Sequence, residues 1–215
     1  MPLIRAILQD MPPDGEVILV DDDSPDRTAA VAQVAFGAEP RVRVIVRTRD
    51  HGFAKSIRAG IEAARGERCI VMDSDYNHDP ADIPRLVAVA AAADIVSCSR
   101  FAPGGNMGSR CRYIASFVYN LGLRLLLRTQ VQDNLCGYFI MRRRALLALP
   151  LDRIFFGFGD YYFRLIHYAQ RRGDSIIEIS TVVRVRTVGQ PKNRILPTFA
   201  HYTTALVRLV FERGN

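Results

Sequence analysis

Two carboxylates, Asp73 and Asp75, stand two residues apart, with Ser74 between them and Asn77 just beyond, directly after the apolar run Cys69 to Met72. A short apolar run of this kind reads as a buried strand. Carboxylates at alternate positions past its end can leave the sheet and converge on one point. Two carboxylates and an amide oxygen are hard donors, suited to Mg²⁺ or Mn²⁺. Such ions keep open positions for substrate phosphates, so the chemistry suggested is a divalent cation holding a nucleotide diphosphate. The same acidic pair is also common in surface loops and at helix starts, and Asp79 before Pro80 is placed to cap a helix.

The elements that must position these groups follow in order. Residues 16–20, EVILV, read as a strand running into Asp21, Asp22 and Asp23. Ser24 or Asp26 can cap a helix over about 26–36. Residues 42–46 form a second strand, 53–65 a helix, 68–72 a third strand, 80–93 an alanine-rich helix and 94–98 a fourth strand. Strand alternating with helix across short connections predicts a parallel α/β sheet. Ligands bind such sheets beyond the carboxyl ends of the strands, where both acidic clusters fall. Further on, Gly104 to Gly108 read as a loop. Helices are expected over 114–128, 160–171 and 196–212, with strands over 137–141 and 175–185. The helices at 114–128 and 196–212 are amphipathic, with Arg124, Arg128 and Arg208 beside the apolar positions. They fit a membrane interface, or equally a core or oligomer contact.

The bulk composition agrees with one folded unit. The 215 residues are 49% hydrophobic, enough for a sizeable core. Neither an internal repeat nor a signal peptide is visible, and no apolar stretch reaches the length of a transmembrane helix. Cys69, Cys98, Cys111 and Cys136 lack zinc spacing and read as free thiols in a reducing compartment. The charge is uneven: residues 1–99 carry 11 Lys and Arg against 16 Asp and Glu, and residues 100–215 carry 18 against 6. The basic half should meet an anion. Nucleic acid is not expected, because Tyr113, Phe117 and Tyr119 fit an amphipathic helix better than a stacking platform. A DxDx(T/V) phosphatase is not expected either, because Tyr76 and Asn77 follow Asp75.

Five motifs occur in one order: VDDDSPDRT (Val20 to Thr28), DHGFAKSIRAGI (Asp50 to Ile61), IVMDSDYNHDP (Ile70 to Pro80), SRFAPGG (Ser99 to Gly105) and RVRTVGQPK (Arg184 to Lys192). Together they resemble the family 2 glycosyltransferases, and within them the polyprenyl (dolichol) phosphate mannosyltransferases, over residues 3 to 207. The resemblance implies a single GT-A domain, an α/β Rossmann-like fold with a mostly parallel central sheet flanked by helices. Residues 1–99 would be the nucleotide-sugar half, and 100–215 the acceptor half with C-terminal amphipathic helices. It implies transfer of a sugar, mannose from GDP-mannose, to a polyprenyl phosphate, by a peripheral protein on the cytoplasmic face of a membrane. UDP-glucose or a UDP-N-acetylamino sugar as donor, or an inactive nucleotide-binding scaffold, are the alternatives.

By match to the family motifs, Val20 and Asp22 meet the donor base and ribose, Ala54 sits where a loop closes on the nucleotide, and Asp73, Ser74 and Asp75 meet the diphosphate. Asp73, Asp75 and Asn77 hold the Mg²⁺ or Mn²⁺, with Asn77 where these enzymes usually carry Gln. Arg100, Arg112, Ser116, Arg186 and Lys192 are expected at the acceptor phosphate and leaving diphosphate; Asp75, Arg100 and Arg112 should carry the transfer. Pro191 stands for a usual Ser, and Ser180 for a common Pro. The family's first strand, ending in a PTYNE-like motif that walls the nucleotide pocket, has no counterpart, because Met1 to Ile4 fall within the first helix. An acceptor already anionic needs positioning more than deprotonation, which suits the lack of a base beside the DxD. Asp160 reads as a helix-start residue.

Overall fold

A computed structural model describes residues 1–183 and 195–211, with side chains in the last segment from residue 202. The first half alternates as expected: α1 (Pro2–Asp10), β1 (Val17–Asp21), α2 (Thr28–Phe36), β2 (Val42–Val46), α3 (Phe53–Ala63), β3 (Arg68–Val71), a 3-10 turn (Pro80–Asp82), α4 (Ile83–Val89) and β4 (Ile95–Ser99). The helix expected over 80–93 is shorter and begins as that turn, with the Asp79 carboxylate accepting from Ala81 N–H. The second half holds β5 (Asn106–Met107), α5 (Arg110–Leu127), β6 (Phe139–Arg142), α6 (Arg143–Leu147), α7 (Leu151–Ile154), α8 (Tyr161–Arg172), β7 (Ile176–Ser180), β8 (Val182–Val183) and α9 (Ile195–Phe211). The loop read over 104–108 thus contains a two-residue strand, paired with β8.

The parallel β1–β2 ladder stands apart from a second sheet in the order β3-β6-β4-β7. In the latter, β6 runs antiparallel to both neighbours, while β4 and β7 are parallel. Alternation in the sequence signals parallel strands; β6 follows a long helical excursion and returns the other way, which local pattern does not encode. Every residue of β4 is buried, whereas Val17 to Val20 of β1 are only partly so. A parallel strand is normally covered on both faces; among the described residues β1 pairs on one edge only, with β2.

Helix α3 ties the two sheets together. Its Ala54 and Ile61 join the main core with Cys69, Phe139 and Met141 under α8. On the opposite face, Ile4 of α1 packs with Ala32 and Phe36 over β1 and β2, while Ile7 and Met11 reach the core around Ile70, Ile83 and Leu86. Helices α5, α8 and α9 form their own cluster through Leu123, Leu127, Phe163, Leu206 and Leu209. The four cysteines are free; three are buried and Cys111 is exposed. Burial pushes the Cys69 thiol up to about 11.

Candidate active site

At the end of β1, Asp21 and Asp22 have separate tasks. The buried Asp21 accepts from Ser24 N–H and Ala29 N–H, both at 2.8 Å, and so shapes the turn into α2. Asp22 reaches the start of α3, accepting from Gly52 N–H at 2.6 Å and from the Ser56 hydroxyl at 2.7 Å. Arg47, at the end of β2, donates to the same carboxylate at 2.5 Å. Burial alone would raise the Asp22 carboxyl, but the donors Gly52, Ser56 and Arg47 bring it below its ordinary range. Asp22 is therefore a clamp joining β1, β2 and α3, with both oxygens already engaged. Val20 lies beside it, half-buried. Ala54 is fully buried in the core, so its methyl group marks where α3 starts rather than a surface open to a ligand.

The Asp73–Asn77 segment is built by a residue that its own motif does not reveal. His78 is buried, stacked at 4.8 Å on Tyr138. Its Nδ1 lies 2.9 Å from the Asp73 N–H and its Nε2 lies 3.0 Å from the Cys136 carbonyl. The first nitrogen must accept and the second must donate, which fixes the tautomer. His78 thus pins the point where the chain leaves β3. Beyond it, Tyr76 adopts a left-handed backbone with φ 64°. That turn brings Asn77 onto Asp75: Asn77 N–H donates to Asp75 Oδ1 at 3.0 Å, and its Nδ2 to Oδ2 at 2.8 Å. Ser74 is exposed, and Asp73, Asp75 and Asn77 are half-buried.

Among the described residues no cluster of three His, Cys, Asp or Glu side chains forms a cation cage. The donor set is instead two carboxylates and one amide, all able to offer oxygen, which matches the sparse protein ligation of Mg²⁺ when substrate phosphates supply the rest. Asn77 would then have to present Oδ1 in place of Nδ2.

Arg100, just past β4, is held by Asp133, a partner that lies outside all five motifs. Asp133 is fully buried and accepts from Arg100 N–H at 3.0 Å, Nε at 2.7 Å and Nη2 at 2.6 Å. Burial alone would lower the Arg100 guanidinium, but Asp133 outweighs it and holds it above its usual value. Asp133 is fixed in turn by the Glu178 carboxylate, which accepts from its N–H at 2.9 Å and from Gln132 N–H at 2.7 Å. The turn after Arg100 requires Gly105: a Cβ there would stand 2.6 Å from the carbonyl oxygens of both Ser99 and Arg100. With two donor atoms of its side chain committed to Asp133, Arg100 has only its outer edge to offer a phosphate.

Arg112 and Ser116 lie one turn apart on α5. Arg112 is exposed, and Ser116 accepts from Asn120 Nδ2 through its carbonyl at 2.9 Å. Arg186 and Lys192 fall outside the described residues. Asp160 stands at the N-cap of α8, accepting from Phe158 N–H at 2.8 Å and paired with buried Arg164, as a helix-start residue and not an exposed base. Tyr202 of α9 packs edge-on against Phe163 of α8, ring centroids 6.3 Å apart, and burial pushes its phenol up.

Among the described residues no helix is long and apolar enough to cross a membrane. Helix α5 nevertheless exposes an apolar stripe, Ile114, Val118, Leu121 and Leu125, the last 68% exposed.

Residues 2–149 match the family model described as Glycosyl transferase family 2. The chain is 34% identical over 201 residues to an undecaprenyl-phosphate mannosyltransferase from Micrococcus luteus, covering 89% of this chain and 81% of that protein. It is also 34% identical over 205 residues to a dolichol-phosphate mannosyltransferase from Pyrococcus furiosus, covering 93% of this chain but 56% of that longer protein. A glucosyl-3-phosphoglycerate synthase from Mycobacterium tuberculosis, solved with Mn²⁺, UDP and phosphoglyceric acid, shares the fold. Its TM-score is 0.68 at 21% identity, over 98% of this chain and 73% of that one.

Proposed function

This chain belongs to glycosyltransferase family 2, and from that premise we propose that it transfers mannose from GDP-mannose to a polyprenyl phosphate, with inversion and with Mg²⁺ or Mn²⁺. What carries the reading is the all-oxygen group at the end of β3, in a chain similar over 89% and 93% of its length to proteins named for mannosyl transfer to undecaprenyl and dolichol phosphate. A divalent cation bound by Asp73, Asp75 and Asn77 would neutralise the departing diphosphate. The protein's own residues position the reactants. His78 fixes the backbone at Asp73, and Asp22 holds the α3 N-terminus against β1. Arg112, exposed on α5, and the outer edge of Arg100 both offer guanidinium donors to the acceptor phosphate. Arg186 and Lys192 are assigned to the same phosphates by motif.

The acceptor's lipid tail requires an apolar surface, and α5 exposes one, the stripe of Ile114, Val118, Leu121 and Leu125, on the face of the helix opposite Arg112. Helix α5 therefore lies on the membrane surface, Arg124 and Arg128 near headgroups, with the protein peripheral on the cytoplasmic face.

The test is radiolabelled sugar transfer to undecaprenyl phosphate from GDP-mannose and from UDP-glucose, each with Mn²⁺ or with EDTA. Mn²⁺-dependent transfer from GDP-mannose is expected. Preference for UDP-glucose would overturn the donor, and transfer undiminished by EDTA the metal. Asp75→Ala should abolish transfer yet leave the chain folded, at a cost of about 1–2 kcal/mol, because it removes the two hydrogen bonds from Asn77 but no residue of the apolar core.

A further inference from the structure

Helix α7, the start of α8 and the last turns of α9 surround a cavity of about 520 Å³. Its lining includes Arg153 of α7, Phe156 after it, Arg164 of α8, and Ala205, Arg208 and Leu209 of α9. It shares no lining residue with the Asp73–Asn77 turn, nor with Arg100 or Arg112.

The charges in this cavity do not cancel. Arg164 is buried and fully engaged: its Nε donates to the Ile154 carbonyl at 2.9 Å, its Nη2 to the Phe156 carbonyl, and its Nη1 pairs with Asp160. Asp152, the other carboxylate of the lining, pairs with Arg58 at 2.5 Å. Both carboxylates therefore already have a cation. Arg153 and Arg208 are exposed, and among the described residues neither enters an ion pair. Two such guanidinium groups lining one cavity repel each other until an anion stands between them. Phe156, with Arg164 stacked on its ring at 3.8 Å, joins Ala205 and Leu209 in an apolar wall. A cavity of this size with such a wall suits an organic ligand better than a bare ion.

We propose that this cavity binds an organic phosphate monoester, its dianionic head held by Arg153 and Arg208 and its organic part laid on Phe156, Ala205 and Leu209. A dianion balances the two unpaired cations. Its three terminal oxygens also accept from two guanidinium forks at once, which a single carboxylate does less well. A soluble phosphate ester and the headgroup of an anionic lipid offer the same chemistry. The site uses no residue of the proposed transfer, so it stands or falls separately from the donor, the acceptor and the metal.

The test is calorimetric titration of the full chain with phenyl phosphate, repeated with neutral benzyl alcohol. Phenyl phosphate should bind, and Arg153→Gln and Arg208→Gln should each weaken it by about tenfold or more, the effect of losing one charge-assisted contact. Arg153→Lys and Arg208→Lys should recover part of this, because the charge stays and the fork goes. Both side chains are exposed, so the melting temperature should not move. Arg112→Ala should leave this binding within about twofold, as a site with no shared partner. No binding at millimolar phenyl phosphate would overturn the proposal. Loss of binding in Arg112→Ala but not in Arg153→Gln or Arg208→Gln would put the ester in the candidate active site and also overturn it. Equal binding of benzyl alcohol would make the cavity a generic apolar cleft and overturn it as well. Sedimentation with phosphatidylcholine vesicles, with and without phosphatidic acid, separates the two sources. Phosphatidic acid-dependent sedimentation that falls when both arginines become Gln supports the site with a lipid headgroup. Sedimentation indifferent to that double variant, with phenyl phosphate binding lost in it, supports the site with a soluble ester.

Discussion

Replacing Asp133 by Asn removes one charge from a buried pair and leaves shape and volume almost unchanged. The Arg100 side chain is 12% exposed and that of Asp133 is 0%, and three Arg100 donors converge on this carboxylate. Breaking such a pair from one side leaves an uncompensated buried cation and costs ~3–5 kcal/mol. Against a typical domain stability of ~5–15 kcal/mol, that is about a fifth or more. With a urea slope of ~3 kcal/mol/M for a chain of this size, the midpoint should fall by about 1 M or more. The double variant Arg100→Met, Asp133→Asn should regain part of the loss, because no orphan charge remains. Urea unfolding followed by circular dichroism measures all three. A single-variant loss below ~1 kcal/mol, or a double variant less stable than Asp133→Asn, would refute the view that Asp133 balances Arg100.

His78→Leu should lose the acceptor for Asp73 N–H and the donor to the Cys136 carbonyl, costing ~1–3 kcal/mol; calorimetric GDP binding with Mn²⁺ should weaken with it, and His78→Gln should recover part of both. Asp22 has its folded pKa below the ordinary value of 3.8, so its stabilisation is full above that value and is lost as pH falls through the folded one. Asp22→Asn should therefore melt lower than the parent at pH 7, but with a shallower decline between about pH 5 and pH 2 in thermal scans. Val118→Glu with Leu125→Glu should reduce sedimentation with anionic vesicles several-fold while leaving the melting temperature nearly unchanged, since both side chains are already exposed; unchanged sedimentation would remove α5 from the membrane.

Strand-end chemistry was legible in the sequence because it is local. An apolar run followed by carboxylates marks both the strand and the residues that leave it, so β1, β2, β3 and β4 fall where the pattern puts them, and Asp73, Asp75 and Asn77 gather at one turn. What holds those residues was not legible. Asp133 lies 33 positions from Arg100, and Cys136 lies 58 from His78. A buried carboxylate or imidazole shows no periodicity of its own; its meaning comes from the partner that tertiary packing supplies. Asp22 shows the same limit from the other side. Its motif places it at a donor, and in the fold it first serves to join β1, β2 and α3 through Arg47, Gly52 and Ser56. A ligand reaching Asp22 must compete with those three donors or be read through them, so substitution there tests the clamp before it tests recognition. Arg112 has no such engagement among the described ion pairs. Its loss should weaken acceptor saturation without disturbing stability, and that contrast separates a binding residue from a scaffold residue within one motif set.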